Sequence, residues 1–395
     1  MSNKIDTLAV HAGAKPSPSD TRSKISPIFA SSVWAFDSLE QIDDVYEHRA
    51  PGYVYSRISN PGVEQLEQAI TLLEGTEAAA AYSSGMAAIA MSLLAELQSG
   101  DHVLAHQVLY GGTYALFTNE MGRFGVETTF VDFTDMEAVR GAIRPNTKVL
   151  YVETICNPLM EVIDIPAVVE LARKIGAKVY VDNTFASPVH FQPCAVGADV
   201  VIHSATKYLN GHSDITGGVV ASSKEFIDRV KKVGTTYGPT LSPFDAWLVL
   251  RGIKTMAVRM ERHSANAMKL AEFLEKHPKV TKVHYPGLCG SKTYSVAKKL
   301  LQGGCGGMLS FAVAGGMESA RTVINGLQLT ELVPSLAGPS TTVSHPGKTS
   351  HRAIPLAERQ AYGVGDDLIR VSVGIENCAD ILADFEQVLK QVVVR

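Results

Sequence analysis

The chain has 395 residues, 46% of them hydrophobic, and its 36 basic and 40 acidic side chains leave a formal net charge of −4. This balance argues against a nucleic-acid-binding surface, and the lack of an 18-residue apolar run or a signal-peptide pattern predicts no contact with a membrane. Five widely spaced cysteines without a Cys-x-x-Cys motif indicate neither a disulfide framework nor a zinc site, so we expect a soluble cytoplasmic protein of two domains.

The first 60 residues contain four prolines and no long periodic hydrophobic pattern. A stretch of this kind is not expected to fold alone, so we predict that residues 1–60 form an arm that contacts a neighbouring subunit. Near its end, Tyr55 supplies a hydroxyl and Arg57 a guanidinium, and both groups are suited to binding a phosphate. For Arg57, an ordinary surface ion pair is the alternative.

Two helices are predicted next, over about residues 63–73 and 86–97, because apolar side chains recur there at helical spacing. Ser84, Gly85 and Met86 lie at the start of the second helix. Small residues at a helix N-terminus leave backbone N–H groups free to bind an anion such as phosphate. A serine that simply caps the helix would give the same pattern.

Between residues 101 and 220, short apolar runs alternate with helical patterns. This alternation predicts a mostly parallel β-sheet with helices on both faces, including a helix over residues 165–175. The predicted strands cover residues 102–105, 129–131, 148–152, 178–181 and 200–202.

Polar residues follow the predicted strands at the sheet edge where α/β proteins bind ligands. Asp182 directly follows an apolar strand, which is costly unless the carboxylate has a partner such as a ring-nitrogen cation. After the next strand, Lys207 can form a Schiff base, while the hydroxyls of Ser204 and Thr206 can bind a phosphate. A solvated lysine in a turn is the alternative. Tyr110, in a glycine-rich turn, is suited to stacking on a flat ligand.

The pattern changes after residue 242, where a long helix is predicted over residues 243–276. It leads into a second domain with strands over residues 308–313 and 368–374 and a final helix over residues 379–393. Arg370 lies inside the last strand and requires a carboxylate partner. The glycine-rich run before residue 308 precedes a strand, so it is not a dinucleotide-binding fingerprint.

These residue types together are those that a pyridoxal phosphate enzyme requires. They comprise a lysine at a strand end, an aspartate for the pyridine nitrogen, a stacking tyrosine, phosphate ligands and an arginine for a substrate carboxylate. A nucleotide-using α/β enzyme is the alternative from the residues alone. A nucleotide-dependent dehydrogenase would carry Gly-x-Gly-x-x-Gly after a strand, and the sequence has no such motif.

Motifs spread over essentially the whole chain resemble the trans-sulfuration family of pyridoxal phosphate enzymes. That family includes cystathionine γ-synthase and γ-lyase, methionine γ-lyase and the O-acylhomoserine sulfhydrylases. The motifs are Tyr55-Ser-Arg57-Ile-Ser-Asn-Pro61, Ser84-Gly-Met86, Tyr110-Gly-Gly112, Val181-Asp-Asn183, Ser204-Ala-Thr-Lys207 and Arg370-Val-Ser-Val-Gly374.

The resemblance implies an α/β protein of pyridoxal phosphate fold type I, which is the aspartate aminotransferase-like fold. We accordingly expect a large cofactor-binding domain over residues 61–250, with a mostly parallel sheet, and a smaller C-terminal α+β domain over residues 251–395. The resemblance also implies a homotetramer, built as a dimer of dimers, in which active sites are shared between subunits.

For the cofactor ring, the resemblance implies that Lys207 binds pyridoxal 5'-phosphate covalently and acts in catalysis. It implies that Asp182 contacts the pyridine nitrogen and that Asn157 lies near the cofactor's 3-oxygen. Tyr110 would stack on the ring and assist proton transfer and departure of the leaving group.

For the phosphate and the substrate, the resemblance implies two further groups of residues. Arg370, helped by Ser335 and beside Asn157, would bind the carboxylate of a small amino-acid substrate. The phosphate would be held by Ser84, Gly85, Met86, Ser204 and Thr206, with Tyr55 and Arg57 contributed by the neighbouring subunit.

The family catalyses elimination or replacement of a γ-substituent, and four positions bear on the choice. Where similar methionine γ-lyases carry Cys, this chain has Gly112, and their Lys-Asp pair near residues 235–237 is absent. Cystathionine-handling relatives typically carry Glu at the position of Ser340, and the synthases carry Arg near Ala115. We therefore expect cystathionine to be a poor substrate.

Residues 238–244 and 340–346 are closer to O-succinylhomoserine sulfhydrylases. Our expectation is γ-elimination on a small γ-substituted L-amino acid, giving an α-keto acid, ammonia and the leaving group. Replacement of the sulfhydrylase or cystathionine γ-synthase type is the alternative. A non-catalytic scaffold is a third hypothesis, but such a protein would have no reason to retain Lys207, Asp182 and Arg370 together.

Overall fold

A computed structural model describes residues 4–13, 24–352 and 354–393. Within these ranges the larger of two sheets has seven strands. They are β1 (Ala78–Tyr82), β2 (His102–His106), β3 (Glu127–Val131), β4 (Thr147–Glu153), β5 (Lys178–Asp182), β6 (Val200–Ser204) and β7 (Gly218–Ser222).

The strand order of this sheet is β1-β7-β6-β5-β4-β2-β3. The run from β6 to β3 is parallel throughout, whereas β7 pairs antiparallel with both β6 and β1. The predicted mostly parallel α/β fold is therefore confirmed. Strand β1 was not predicted, because its four alanines carry little β-propensity and only its position beside β7 makes it a strand.

Helices cover both faces of the large sheet and one face of the smaller one. They are α1 (Ile5–His11), α2 (Leu39–Tyr46), α3 (Pro61–Glu74), α4 (Gly85–Glu96), α5 (Gly111–Ala115), α6 (Met136–Gly141), α7 (Ile165–Ile175), α8 (Ser187–His190), α9 (Lys224–Tyr237), α10 (Pro243–Ile253), α11 (Met256–Lys276), α12 (Tyr294–Leu300), α13 (Gly316–Gly326), α14 (Leu356–Ala361) and α15 (Cys378–Leu389). None of these described helices is long and apolar enough to cross a membrane.

Two apolar clusters lie on opposite faces of the large sheet. One contains buried side chains of α3 and α7, and the other contains those of α4 and α9. Neighbouring side chains along each strand point to opposite faces, so both clusters draw on the same strands. This double packing holds the carboxyl ends of the parallel strands at one edge.

The strands of the smaller sheet are β8 (Val280–His284), β9 (Met308–Val313), β10 (Glu331–Leu332), β11 (Thr342–Ser344) and β12 (Leu368–Ser372). Their order is β10-β11-β12-β9-β8, and the sheet is antiparallel apart from the β10–β11 pair. A third apolar cluster packs it against α11, α13 and α15.

The long helix predicted over residues 243–276 is instead two helices, α10 and α11. Thr255, between them, leaves the helical conformation, and its N–H donates to the Gly252 carbonyl three residues back. The apolar spacing continues across the break because both helices bury a face. The prediction of one helix was therefore wrong.

A flexible turn was predicted around Tyr110. The structure instead has the short helix α5, which begins directly after this residue.

The first 60 residues, predicted to be irregular, contain the short helices α1 and α2. Helix α1 packs on this chain and buries Ala9, whereas α2 buries no residue and leaves Leu39 78% exposed. Residues 1–3 and 14–23 of the predicted arm lie outside the described ranges. Contact of the arm with a neighbouring subunit stays a prediction.

Candidate active site

The carboxyl ends of β4, β5 and β6 open into a cavity of about 240 Å³. Side chains from the segment between β10 and β11 and from β12 form its other wall, so the cavity lies between the two sheets. Eleven of the thirteen predicted site residues line it: Ser84, Gly85, Met86, Tyr110, Asn157, Asp182, Ser204, Thr206, Lys207, Ser335 and Arg370.

Lys207 lies in the turn after β6, and its ammonium group points into the cavity. Its Nζ donates a hydrogen bond to the Ser335 hydroxyl at 2.8 Å. Burial, with a smaller effect from the positive charge of Arg370, lowers the pKa of Lys207 to about 8. A lysine in these surroundings is neutral more often than an ordinary lysine and is a better nucleophile and base.

Asp182 is the last residue of β5, and it lines the cavity. One carboxylate oxygen accepts the Thr184 N–H at 3.0 Å. No lysine or arginine of the described residues lies within ion-pair distance, and burial raises the pKa of this carboxyl group. A cationic ring nitrogen would supply the missing counter-charge.

The N-terminus of α4 forms one end of the cavity. Ser84 caps the helix, its hydroxyl accepting the Ala87 N–H at 3.1 Å, and the first N–H groups have no partner within the helix. Gly85 permits a close approach here, because a Cβ atom on it would lie 2.8 Å from the Ser204 Cβ. The helix N-terminus and the hydroxyls of Ser204 and Thr206 together suit a phosphate group.

Arg370 lies in β12 and is only 3% exposed. It donates to the Asn157 side-chain oxygen at 2.9 Å, and burial lowers the pKa of the guanidinium to about 10. The carboxylate partner expected for it is not supplied by the described part of the chain. A buried guanidinium that faces a cavity without a carboxylate is suited to an anionic ligand.

Glu153 was not among the predicted site residues, although it ends strand β4 as Asp182 ends β5. Its two carboxylate oxygens accept the N–H groups of Tyr110 at 2.7 Å and of Asn157 at 3.1 Å. Burial, with a smaller effect from Asp182, raises the pKa of Glu153 to about 8. Glu153 thus orients the backbone of two predicted site residues. Its position at the end of a strand was the feature of the sequence that could have identified it as a site residue.

Other cavity residues were also missed, among them Thr184, Phe185 and Ser350. Thr184 follows Asp182 closely, and its hydroxyl accepts the Ser204 N–H at 2.9 Å. For Ser350, the sequence carries no comparable signal, because this residue lies in an irregular segment after β11.

Tyr55 and Arg57 do not line the cavity of their own chain. Arg57 is exposed, its guanidinium lies 5.4 Å from the centre of the Tyr55 ring, and it donates to the Thr235 carbonyl at 2.8 Å. The phosphate-binding role implied for these two residues therefore requires a second subunit.

The residues of the cavity fit pyridoxal 5'-phosphate. The fit rests on three features: an amine with a lowered pKa, a half-buried carboxylate without a lysine or arginine partner among the described residues, and a helix N-terminus with nearby hydroxyls. These features suit the aldehyde carbon, the ring nitrogen and the phosphate of that molecule, respectively.

Comparison with known proteins agrees with this fit. The Cys/Met metabolism PLP-dependent enzyme family matches residues 6–390. An L-methionine gamma-lyase of Fusobacterium nucleatum subsp. polymorphum is 42% identical, covering 98% of each chain. A cystathionine beta-lyase of Coxiella burnetii is 43% identical, covering 98% of this chain and 97% of its own. An O-succinylhomoserine sulfhydrylase of Pseudomonas aeruginosa is 41% identical, covering 96% of this chain and 94% of its own.

Among solved structures, metB from Corynebacterium glutamicum superposes with a TM-score of 0.93 at 40% identity and covers 98% of both chains. The same fold thus extends over nearly the full length. The family match covers both sheets and the cavity between them. The chain therefore belongs to the family of Cys/Met metabolism PLP-dependent enzymes and uses pyridoxal 5'-phosphate as its cofactor.

Proposed function

We propose that this enzyme catalyses γ-elimination on a small γ-substituted L-amino acid, releasing an α-keto acid, ammonia and the leaving group. The observation that carries the proposal is the cavity itself. It brings the amine of Lys207, the carboxylate of Asp182 and the guanidinium of Arg370 together. The 42% identity to an L-methionine gamma-lyase supports elimination as the reaction.

Each of these side chains has a proposed task. Arg370, oriented by Asn157, binds the substrate carboxylate. When bound, the cofactor supplies an electron sink that makes the substrate Cα proton acidic. The neutral amine of Lys207 accepts that proton, and Asp182 keeps a proton on the ring nitrogen.

Tyr110 stands at the opening of the cavity and is 44% exposed. Its backbone N–H donates to Glu153, while its hydroxyl makes no hydrogen bond with the described residues. We assign it the stacking and proton-transfer role near the γ-substituent.

The absence of charged side chains at two positions of the chain, residues 115 and 340, favours small leaving groups. By the resemblance, cystathionine-handling enzymes typically carry Glu where this chain has Ser340, and the synthases carry Arg near Ala115, and neither residue of this chain is charged. A second amino-acid moiety would bring its own ammonium and carboxylate, and leaving them unpaired in a pocket costs several kcal/mol. Thiolate and acyloxy leaving groups avoid that cost.

The second candidate is γ-replacement, in which a thiol or sulfide takes the place of the leaving group. It is supported by the 41% identity to an O-succinylhomoserine sulfhydrylase. Both reactions need the same residues at Cα, so they differ only in what reaches the γ-position after the leaving group departs.

We further propose a homotetramer, built as a dimer of dimers, with active sites shared between subunits. The positions of Tyr55 and Arg57, outside the cavity of their own chain, support this arrangement. A cytoplasmic location is also proposed, supported by five free cysteines, which suit a reducing compartment.

The test is a panel of methionine, homocysteine, O-acetylhomoserine, O-succinylhomoserine and cystathionine, each assayed with and without sulfide. The α-keto acid and the new thiol are measured separately. Keto acid formed without added nucleophile supports elimination, whereas turnover only with sulfide supports replacement. If cystathionine were the best substrate, the argument from Ala115 and Ser340 would be wrong.

A further inference from the structure

A buried carboxylate, Glu74, lies behind the strand ends that line the cavity. It is the last residue of α3 and is 1% exposed. The C-terminus of a helix carries a partial negative charge, so a buried carboxylate is unfavourable there unless other groups compensate it. The contacts of Glu74 show what these groups are.

One oxygen of Glu74 contacts side chains from two neighbouring strand ends. The His203 Nε2 atom lies 2.6 Å from Glu74 Oε1, and the Asn183 side-chain amide donates to the same oxygen at 3.3 Å. A carboxylate oxygen only accepts, so the contact requires a proton on His203 Nε2. Both partners are fully buried, with exposures of 1% and 0%.

Asn183 is held on every polar atom of its side chain. Its oxygen accepts the Thr154 hydroxyl at 2.7 Å, and its amide also donates to the Phe191 carbonyl at 2.8 Å. Its backbone N–H donates to the Ile202 carbonyl of β6 at 2.8 Å. The residue directly after Asp182 is therefore fixed relative to β6.

Asn183 directly follows Asp182, and His203 directly precedes Ser204. Side chains alternate between the faces of a sheet, so Asp182 and Ser204 line the cavity while their neighbours point to the side of Glu74. Glu74 is thus one residue removed from a cofactor contact on each of two strands.

We propose that Glu74 is a positioning residue for the cofactor. By binding Asn183 and His203 through one oxygen, it sets the spacing between Asp182 and Ser204, which are assigned to the ring nitrogen and the phosphate. The inference rests on those two assignments under the proposed function. It does not depend on which γ-substituted amino acid is the substrate.

The same helix offers a matched control. Glu67 is also a buried carboxylate of α3, with Lys231 as its basic partner, and it accepts the Ala81 N–H at 3.1 Å. It contacts neither Asn183 nor His203. Glu74→Gln and Glu67→Gln each remove one buried negative charge from α3 without changing the volume of the side chain.

The experiment uses cofactor-free protein and measures the dissociation constant of pyridoxal 5'-phosphate by titration. Glu74→Gln is expected to weaken binding by about fivefold or more, because a neutral amide oxygen accepts more weakly from His203 and Asn183 than a carboxylate does, whereas Glu67→Gln stays within about twofold. Amide hydrogen exchange is the second readout. It is expected to accelerate at Asn183 and Ser204 in Glu74→Gln and to stay unchanged at both in Glu67→Gln.

Further variants keep the test decisive. His203→Gln leaves Glu74 in place but removes the imidazole ring that contacts it. This variant is expected to bind the cofactor more weakly than the wild type, as Glu74→Gln does. Equal affinities in Glu74→Gln, His203→Gln and Glu67→Gln would overturn the positioning role. Asp182→Asn and Ser204→Ala are measured in parallel: if neither weakens binding, the assignment of the cofactor site itself fails.

Discussion

The amine of Lys207 is buried beside the guanidinium of Arg370, and both effects disfavour its protonated form. Because the pKa is lowered to about 8, the neutral amine becomes the major form once the pH rises above about 8, well below the value for an ordinary lysine. In cofactor-free protein, the rate of reaction with pyridoxal 5'-phosphate should therefore rise by about tenfold between pH 7 and 9.

Stopped-flow absorbance measures this rate, and the reaction of the cofactor with Nα-acetyl-lysine corrects for the titration of the cofactor itself. Arg370→Gln removes the neighbouring positive charge, so the midpoint of the profile should move to higher pH. A wild-type midpoint near that of the free lysine would contradict the effect assigned to the cavity.

Asp182 offers a second test at the scale of a single residue. Asp182→Asn keeps an acceptor for the Thr184 N–H but loses the negative charge that would hold a proton on the ring nitrogen. A fixed charge of this kind contributes about 3 kcal/mol, so exchange of the substrate Cα proton should slow by about two orders of magnitude. Exchange in deuterated solvent is followed by NMR, with cofactor content measured in the same samples. Unchanged exchange would exclude the proposed role.

At the scale of an element, the N-terminus of α4 depends on its contact with the end of β6. A methyl group on Gly85 would lie 2.8 Å from the Ser204 Cβ, so Gly85→Ala must push the helix away from the strand. We expect the affinity for pyridoxal 5'-phosphate to fall by about tenfold or more, because the phosphate ligands move apart.

Gly141→Ala in α6 is the matched control, because its new methyl group meets no atom within 4 Å. That variant should bind the cofactor as the wild type does, as judged by the same titration. If Gly85→Ala also binds normally, the end of α4 does not hold the phosphate.

At the scale of the whole molecule, the arm supplies the remaining prediction. Arg57 is exposed and lies outside the cavity of its own chain, so Arg57→Ala should inactivate a neighbouring site. Lys207→Ala should inactivate its own. After subunit exchange, a mixture of the two inactive proteins should regain activity, because mixed oligomers contain sites with both residues intact.

Each variant incubated alone under the same exchange conditions is the control and should stay inactive. The activity of the mixture is compared with that of the wild type. The exchange of subunits is monitored by native mass spectrometry of the oligomers. If exchange occurs and no activity returns, the arm serves its own subunit.

Much of the site could be predicted from short stretches of the sequence. Lys207, Ser204 and Thr206 follow one apolar strand and Asp182 ends another, and a polar residue at a strand end is visible from its immediate neighbours. The same holds for the α/β alternation, because hydrophobic periodicity reports which faces of an element are buried. These features were predicted because each depends on residues only a few positions apart.

Other features were decided only by the tertiary structure. Strand β1 exists because β7 lies beside it, and Arg370 reaches Asn157 across 213 positions of the chain. Glu74 and His203 are separated by 129 positions, and their contact exists only because α3 packs against the large sheet. Local sequence determines which residues can form a strand end or a cap. Which distant side chains then share a buried site is decided by packing, because packing brings together elements that are far apart in the chain, and a buried polar group without a partner is costly.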